Sequence, residues 1–353
     1  MHLPGKQDTF YRSARVRFSP TVPSSEIAHS AMRNSHCAAP LPAPEASPAP
    51  VDEAFNLENS KAYDRWRKQK LERYPATASA LLVEVNDPCA LTRAEREAIV
   101  QRCRKTNMVI YACPPLKAAD KHAVRRLGEQ LGLCRLDTNL YADRDSITSI
   151  RVMPTGRQRE YIPYSDQVLK WHTDGYYNPP DQRIRAFIMH CVQDAADGGE
   201  NTLLDPEIVY LLMRDHDPSH IVALRQSDVM TIPANVEQGT EIRPAQSGPV
   251  FAFDAATRTL HMRYTARKHH IEWKNDSLTE AAVRFLEGLL DNEDHYTLRH
   301  RLEPGQGIVC NNVLHNRSAF TNDERRERLI YRARYYDRVA ATWPSPGDTD
   351  ALA

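Results

Sequence analysis

"WHTDGYYNPP", residues 171–180, sets a histidine and an aspartate two positions apart, His172 and Asp174, behind a tryptophan and ahead of two tyrosines. In an extended segment residues i and i+2 lie on one face, about 6–7 Å apart along the chain, so this imidazole and this carboxylate can converge on one ion. The pair alone decides nothing. With 14 histidines in the chain and aspartate at about 7% of positions, about one His-x-Asp pair arises by chance. A third ligand has to come from elsewhere.

The best candidate is His315 in "LEPGQGIVCNNVLHNRSAF" (302–320), which follows a Pro-Gly turn and a strand. One carboxylate and two imidazoles make the facial triad that leaves three positions of an octahedral Fe(II) open, enough for a bidentate co-substrate and dioxygen together. Next comes "RERLIYRARYYDR" (326–338). As a strand it puts Arg328 and Arg332 on one face with Ile330 and Arg334, and turns Leu329 and Tyr331 away. A buried guanidinium there can clamp a carboxylate through two hydrogen bonds. Upstream, "DAADGGENTLLD" (194–205) is a Gly-Gly turn entering a strand with Asn201 and Thr202, either of which could add a hydrogen bond to that carboxylate.

Taken in order, W-H-T-D, G-G-E-N-T, P-G-Q-G…N-N-V-L-H and R-L-I-Y-R resemble the taurine and 2,4-D dioxygenase group, over about residues 147–338. The resemblance implies an Fe(II)/2-oxoglutarate-dependent dioxygenase with a double-stranded β-helix (jelly-roll, cupin-like) core, mainly β with flanking helices. It implies iron on His172, Asp174 and His315, and the distal carboxylate of 2-oxoglutarate on Arg328 with help from the threonine after the double glycine. It puts Arg332 where taurine-using members hold the substrate's acidic group. Two departures stand out. The family has one residue between the double glycine and the threonine, and here Asn201 takes the usual place while Thr202 lies one further on; a one-residue adjustment in the turn favours Thr202. Val168 stands where the taurine-using enzyme has a substrate-contacting asparagine, so the resemblance speaks for the reaction type rather than for taurine. The outcome it implies is hydroxylation of a small polar organic molecule with release of succinate and CO2; which molecule stays open, as does desaturation or cleavage.

Composition narrows the alternatives. Of 353 residues, 46 are basic and 46 acidic, which argues against a general affinity for nucleic acid or acidic membranes. The seven cysteines are scattered without C-x-x-C, which points to reduced thiols and a cytoplasmic protein. No apolar run is long enough for a membrane span, and the start of the chain does not read as a secretory signal. Residues 1–52, with the Pro/Ala-rich "CAAPLPAPEASPAPVDE" (37–53), read as a disordered tail. From 53 to 146 helices dominate: "NLENSKAYDRWRKQKLERYP", "LTRAEREAIVQRCRKT" with a capping box at Thr92 and Glu95, and "ADKHAVRRLGEQLGL". From 147 to 338 short β-prone runs predominate, interrupted by helices at "DPEIVYLLMRD" and "SLTEAAVRFLEGLLDN".

Other readings of the same residues are a non-catalytic β-helix protein that binds or senses a ligand, and an iron oxygenase that does not use 2-oxoglutarate. Arg328 separates the second, which has no need of a buried cation. His270-x-Glu272 is a second possible ligand pair but falls too late in the order. "MRYTARKHHIEWK" (262–274) is basic and aromatic, and reads as a solvated or pocket-lining strand rather than an RNA contact. Tyr161, Tyr164, Tyr176 and Tyr177 flank the metal motif and read as packing with one or two pocket contacts rather than a cage for a quaternary ammonium. Homo-oligomerisation is left open. Because residues 1–50 carry no apolar period, a chain starting near Asp52 is expected to keep the full-length melting temperature and activity. A drop of several degrees on truncation would show the segment to be docked.

Overall fold

The structure, a computed structural model, describes residues 52–117, 120–138, 143–155, 161–237, 239–254, 257–267, 271–292 and 295–342. The tail read from the sequence lies outside these described residues. What is described is mainly strands with some helices.

Two sheets carry the architecture. The larger has six strands in the order Leu82–Glu84, Met108–Ala112, Gln306–Cys310, Ala186–Gln193, Leu329–Tyr335 and Ile147–Ile150. Its first pair is parallel and the remaining pairs are antiparallel. The smaller has four antiparallel strands, Leu298–His300, Asn201–Leu204, Leu314–Arg317 and Leu169–His172. Met108, Ile110, Phe187, Met189 and Ile308 of the larger sheet form one buried cluster with Leu203 and Leu298 of the smaller, so the two sheets pack through apolar side chains. Within the segment before residue 147, Met108–Ala112 joins the larger sheet by pairing with Gln306–Cys310.

Local signals account for the helices. Arg93–Thr106 begins at Thr92, whose side chain accepts from the Glu95 N–H while the Glu95 carboxylate accepts from the Thr92 N–H. It ends at Asn107, in the left-handed conformation at φ 59°. Ile99, Cys103 and Thr106 form its buried stripe, spaced as a core-facing helix requires. The helix Pro206–His216 is capped by Asp205, with proline in its first turn. Ser277–Asn292 covers the segment expected, whereas the short helix Pro218–Leu224 has no counterpart in the sequence reading.

One buried polar cluster ties the helical part together. Lys70 Nζ lies 2.6 Å from both Asp205 Oδ2 and Glu207 Oε2 and donates to the Lys105 carbonyl at 2.9 Å. Asn107 donates to Asp205 Oδ1 at 2.9 Å. No helix among the described residues is long and apolar enough to cross a membrane. Cys89, Cys103, Cys113, Cys191 and Cys310 are free thiols. Replacing Lys70 with alanine leaves the buried Asp205 carboxylate and the partly buried Glu207 carboxylate without this cation, so the variant is expected to lose about 3–5 kcal/mol of unfolding free energy at pH 7. A denaturant midpoint equal to that of the parent protein would contradict this.

Candidate metal centre

Strand Leu169–His172 runs antiparallel to Leu314–Arg317 with His172 directly opposite His315. Cross-strand partners share a face, and the two ring centroids are 4.2 Å apart. Both rings are buried. His172 Nδ1 meets the Lys170 carbonyl at 2.9 Å, and His315 Nδ1 meets the Val313 carbonyl at 3.0 Å. A carbonyl can only accept, so each Nδ1 carries the proton and each Nε2 offers a lone pair. Burial pushes the pKa of both imidazoles down, and for His172 the neighbouring His315 adds to it. Both are therefore neutral, as metal ligation requires.

Asp174 is placed by its backbone. Its N–H donates to Asn312 Oδ1 at 2.8 Å, and Asn312 Nδ2 donates to the Asp174 carbonyl at 3.0 Å and the Ile184 carbonyl at 2.7 Å. Asn312 does this from the left-handed region, at φ 52°. Gly175 follows at φ 66°, where a Cβ would stand 2.4 Å from Ile184 Cγ1, so only glycine fits the turn. The carboxylate is buried, with Oδ1 3.1 Å from Arg332 Nη1 and 3.8 Å from His172 Nε2. Oδ2 is buried without a hydrogen-bond partner. Burial alone would raise this carboxyl's pKa, but Arg332 and then Arg334 outweigh it and hold the pKa well below the usual range. One donor atom each from His172, Asp174 and His315 lies within 4.8 Å of the others. An octahedral ion with bonds of about 2.1 Å sets neighbouring donors about 3 Å apart, so a small closure of the three suffices. The neutral imidazoles, the ionised carboxylate and the orphaned Oδ2 all suit a divalent cation.

A small cavity adjoins His315, lined among others by Met189, Asn201, Arg328, Ile330 and Arg332. The Arg328 side chain is buried, and among the described residues its guanidinium faces no carboxylate; the Phe320 ring lies 5.1 Å away. Burial lowers its pKa to about 10. The double glycine packs against it: a Cβ on Gly199 would touch Arg328 Nε at 3.4 Å, and one on Gly198 would strike the Ala319 carbonyl at 2.2 Å.

Residues 71–334 match the taurine catabolism dioxygenase TauD, TfdA family. The chain belongs to this family. By that membership it is a dioxygenase that works with iron and 2-oxoglutarate. A uridine-5'-phosphate dioxygenase from Streptomyces sp is 26% identical over 204 residues, covering 55% of this chain and 71% of that protein. Among solved structures, the non-heme iron oxygenase OrfP superposes with a TM-score of 0.52 at 13% identity, over 82% of this chain and 92% of OrfP. The PvcB protein from Pseudomonas aeruginosa gives 0.50 at 14% identity, over 72% and 85%. At these identities the likeness is one of fold.

Within this TauD/TfdA protein several expected residues are placed differently from the sequence reading. Thr202 does not share the cavity with Arg328. It faces the other side of the smaller sheet, in a cleft with Lys170, Glu287 and Arg299. Successive strand residues alternate faces, so it is Asn201 that enters the cavity, and its Nδ2 is buried without a partner. Arg332, read as a substrate contact, meets the Asp174 carboxylate. Arg334 shares that face and pairs with Asp137, while its Nη1 donates to the Tyr177 hydroxyl at 2.9 Å. The Tyr176 and Tyr177 rings pack edge to face, 5.1 Å apart. His270 lies outside the described residues, and Glu272 is exposed on a strand paired with Met230–Ile232.

Neutral buried histidines make stability depend on pH. His172 and His315 are pushed down by burial, and His190, also buried, is lowered to about 4. The unfolded chain takes up protons on these groups near pH 6.5 and the folded protein does not, so stability is lost as pH falls below that value. The expected loss is about 1.4 kcal/mol per pH unit for each such group. Melting of metal-free protein in chelator checks this between pH 7.5 and 5.5. A flat melting temperature across that range would show these rings are protonated in the fold.

Proposed function

We propose that His172, Asp174 and His315 together hold one Fe(II), and that Arg328 with Asn201 meets the distal carboxylate of 2-oxoglutarate. On this reading the two sheets form a double-stranded β-helix core, residues 53–353 are the dioxygenase domain, and residues 1–52 are a tail. The observation that carries the proposal is the Arg328 guanidinium, buried, with no acid among the described residues, in the cavity that His315 also lines. A buried cation without a counter-charge is costly, and a dicarboxylate anchored at the metal by one end supplies that charge with the other. An iron oxygenase without 2-oxoglutarate leaves this arginine unexplained, and a binding or sensing protein leaves the open His-Asp-His set unexplained.

Bound iron with 2-oxoglutarate supplies the oxidising chemistry, in which dioxygen is consumed, 2-oxoglutarate becomes succinate and CO2, and a C–H bond of the substrate is hydroxylated. The chain's own residues do the rest. Asn312 fixes the Asp174 backbone, the two Nδ1–carbonyl bonds aim the imidazoles, and the apolar wall of Met189 and Ile330 keeps water from the co-substrate. Arg332 lines the same cavity, which supports an acidic group on the substrate. The substrate is a small polar organic molecule acted on in the cytoplasm, with no nucleic acid or membrane involved. The relative named for uridine-5'-phosphate makes that phosphate-bearing compound the first to try.

Arg328→Ala removes a bidentate partner worth on the order of 2–5 kcal/mol. The 2-oxoglutarate requirement for succinate release should therefore rise at least tenfold, since about 1.4 kcal/mol already equals that factor. Arg328→Lys should recover part of the loss, because a point charge cannot reproduce the fork. Asn201→Ala should raise the requirement as well, and Thr202→Ala should not. An unchanged requirement in Arg328→Ala means the co-substrate is held elsewhere, and an effect of Thr202 without one of Asn201 reverses the assignment between those two.

A further inference from the structure

We propose that Arg332 is the positioning residue for the Asp174 carboxylate: it sets the plane of this metal ligand and keeps it from closing on an ion through both oxygens. The inference rests on the metal-site reading above and assigns Arg332 a task beyond contact with substrate.

The backbone of Asp174 is fixed by Asn312 on both its N–H and its carbonyl. Those bonds do not fix the side chain, because the terminal torsion of a carboxylate is broad and two-fold. Among the described residues one side-chain donor reaches it, Arg332 Nη1 on Oδ1 at 3.1 Å. Oδ2 has no partner. The donor itself stands on a rigid base. Arg332 sits within Leu329–Tyr335, paired with Met189 on one side and Thr148 on the other. Its side chain is buried at both ends of the ion pair, with 10% and 3% of the side-chain surfaces exposed, so water does not compete for the bond. A charge-assisted bond of this kind is among the stronger ones.

The consequence for the metal is one of coordination number. A carboxylate chelating through both oxygens occupies two of six octahedral positions and, with two imidazoles, leaves two. A carboxylate bound through one oxygen leaves three, the number a bidentate co-substrate and dioxygen together need. An oxygen already accepting from a guanidinium is the poorer second donor, so the Arg332 bond favours the open count. One edge of the guanidinium serves Asp174 in this way. Arg332 Nε is buried without a partner among the described residues, which leaves the other edge for an anion in the cavity.

Cobalt(II) titration of the metal-free protein without 2-oxoglutarate tests this apart from turnover. The wild-type chain should show weak six-coordinate visible bands. Arg332→Ala should bind cobalt at least tenfold more weakly and shift those bands. Added guanidinium ion should restore affinity in Arg332→Ala but not in Arg332→Lys, and Arg332→Lys should fall between the two. Near-UV circular dichroism reports whether the alanine variant folds; if it does not, the lysine variant is the reading, with an expected three- to tenfold weaker affinity. Unchanged affinity and bands in a folded Arg332 variant overturn the proposal while leaving the metal site intact. Failure of the wild-type chain to bind cobalt overturns the metal site and this proposal with it.

Discussion

The register of two strands, Leu169–His172 against Leu314–Arg317, is the constraint on which the site depends. It puts His172 opposite His315. A slip of one residue would turn His315 to the outer face and bring Asn316 in its place. The register is held from both sides. Asn201–Leu204 pairs along the other edge of Leu314–Arg317. Beyond His172, the Thr173 N–H donates to the Tyr264 carbonyl at 3.0 Å, and the Tyr264 N–H donates to Thr173 Oγ1 at 3.1 Å. The chain then turns at Gly175, which brings Asp174 round to the two rings. The register shifts between His315 and Arg317, which pairs with Leu169; bulges commonly re-aim side chains near a site.

Charge is the second organising element. Arg328, Arg332 and Arg334 are all buried, and they alternate along one face at the end of the chain. Asp174 answers Arg332, and Asp137 answers Arg334. Arg328 has no acid of its own among the described residues. The two metal-motif histidines are neutral, so among the described residues this trio of arginines carries one charge more than the two aspartates that answer it. A protein tolerates such an imbalance where the missing charge arrives with a ligand. The same arithmetic explains why Asp174 stays ionised at a depth where burial alone would protonate it.

The rigidity behind these groups comes from elsewhere in the fold. Trp171, the residue before His172, points into the apolar cluster beneath helix Ser277–Asn292 and donates to the Leu290 carbonyl at 3.1 Å. Arg317 donates to the carbonyls of Ser165 and Gln167, which anchors the segment leading into Leu169–His172. The site is thus assembled on strand ends whose outer faces are pinned by unrelated contacts, which is how a few side chains are kept in one geometry.

The part of this protein legible in its amino-acid order is the part governed by short-range rules. The two-residue period of a strand puts Ile330, Arg332 and Arg334 on one face, whereas Asp174 stands in the turn beyond Leu169–His172 and Arg328 just before Leu329–Tyr335. The capping box at Thr92 and Glu95 starts a helix, and the apolar spacing of 277–292 makes another. The order of motifs singled out His315 at long range, because family resemblance carries pairing information that composition does not. The rest depends on which strand face meets which neighbour, and long-range packing settles that. It placed Asn201 rather than Thr202 beside Arg328, because a one-residue choice of phase in a strand follows from pairing with Leu314–Arg317 and not from the turn before it. It brought Asn312 onto the backbone of Asp174 and Arg332 onto its carboxylate, across separations of 138 and 158 residues. No local period records such a contact, since its energy belongs to two segments that meet only once the sheets have closed.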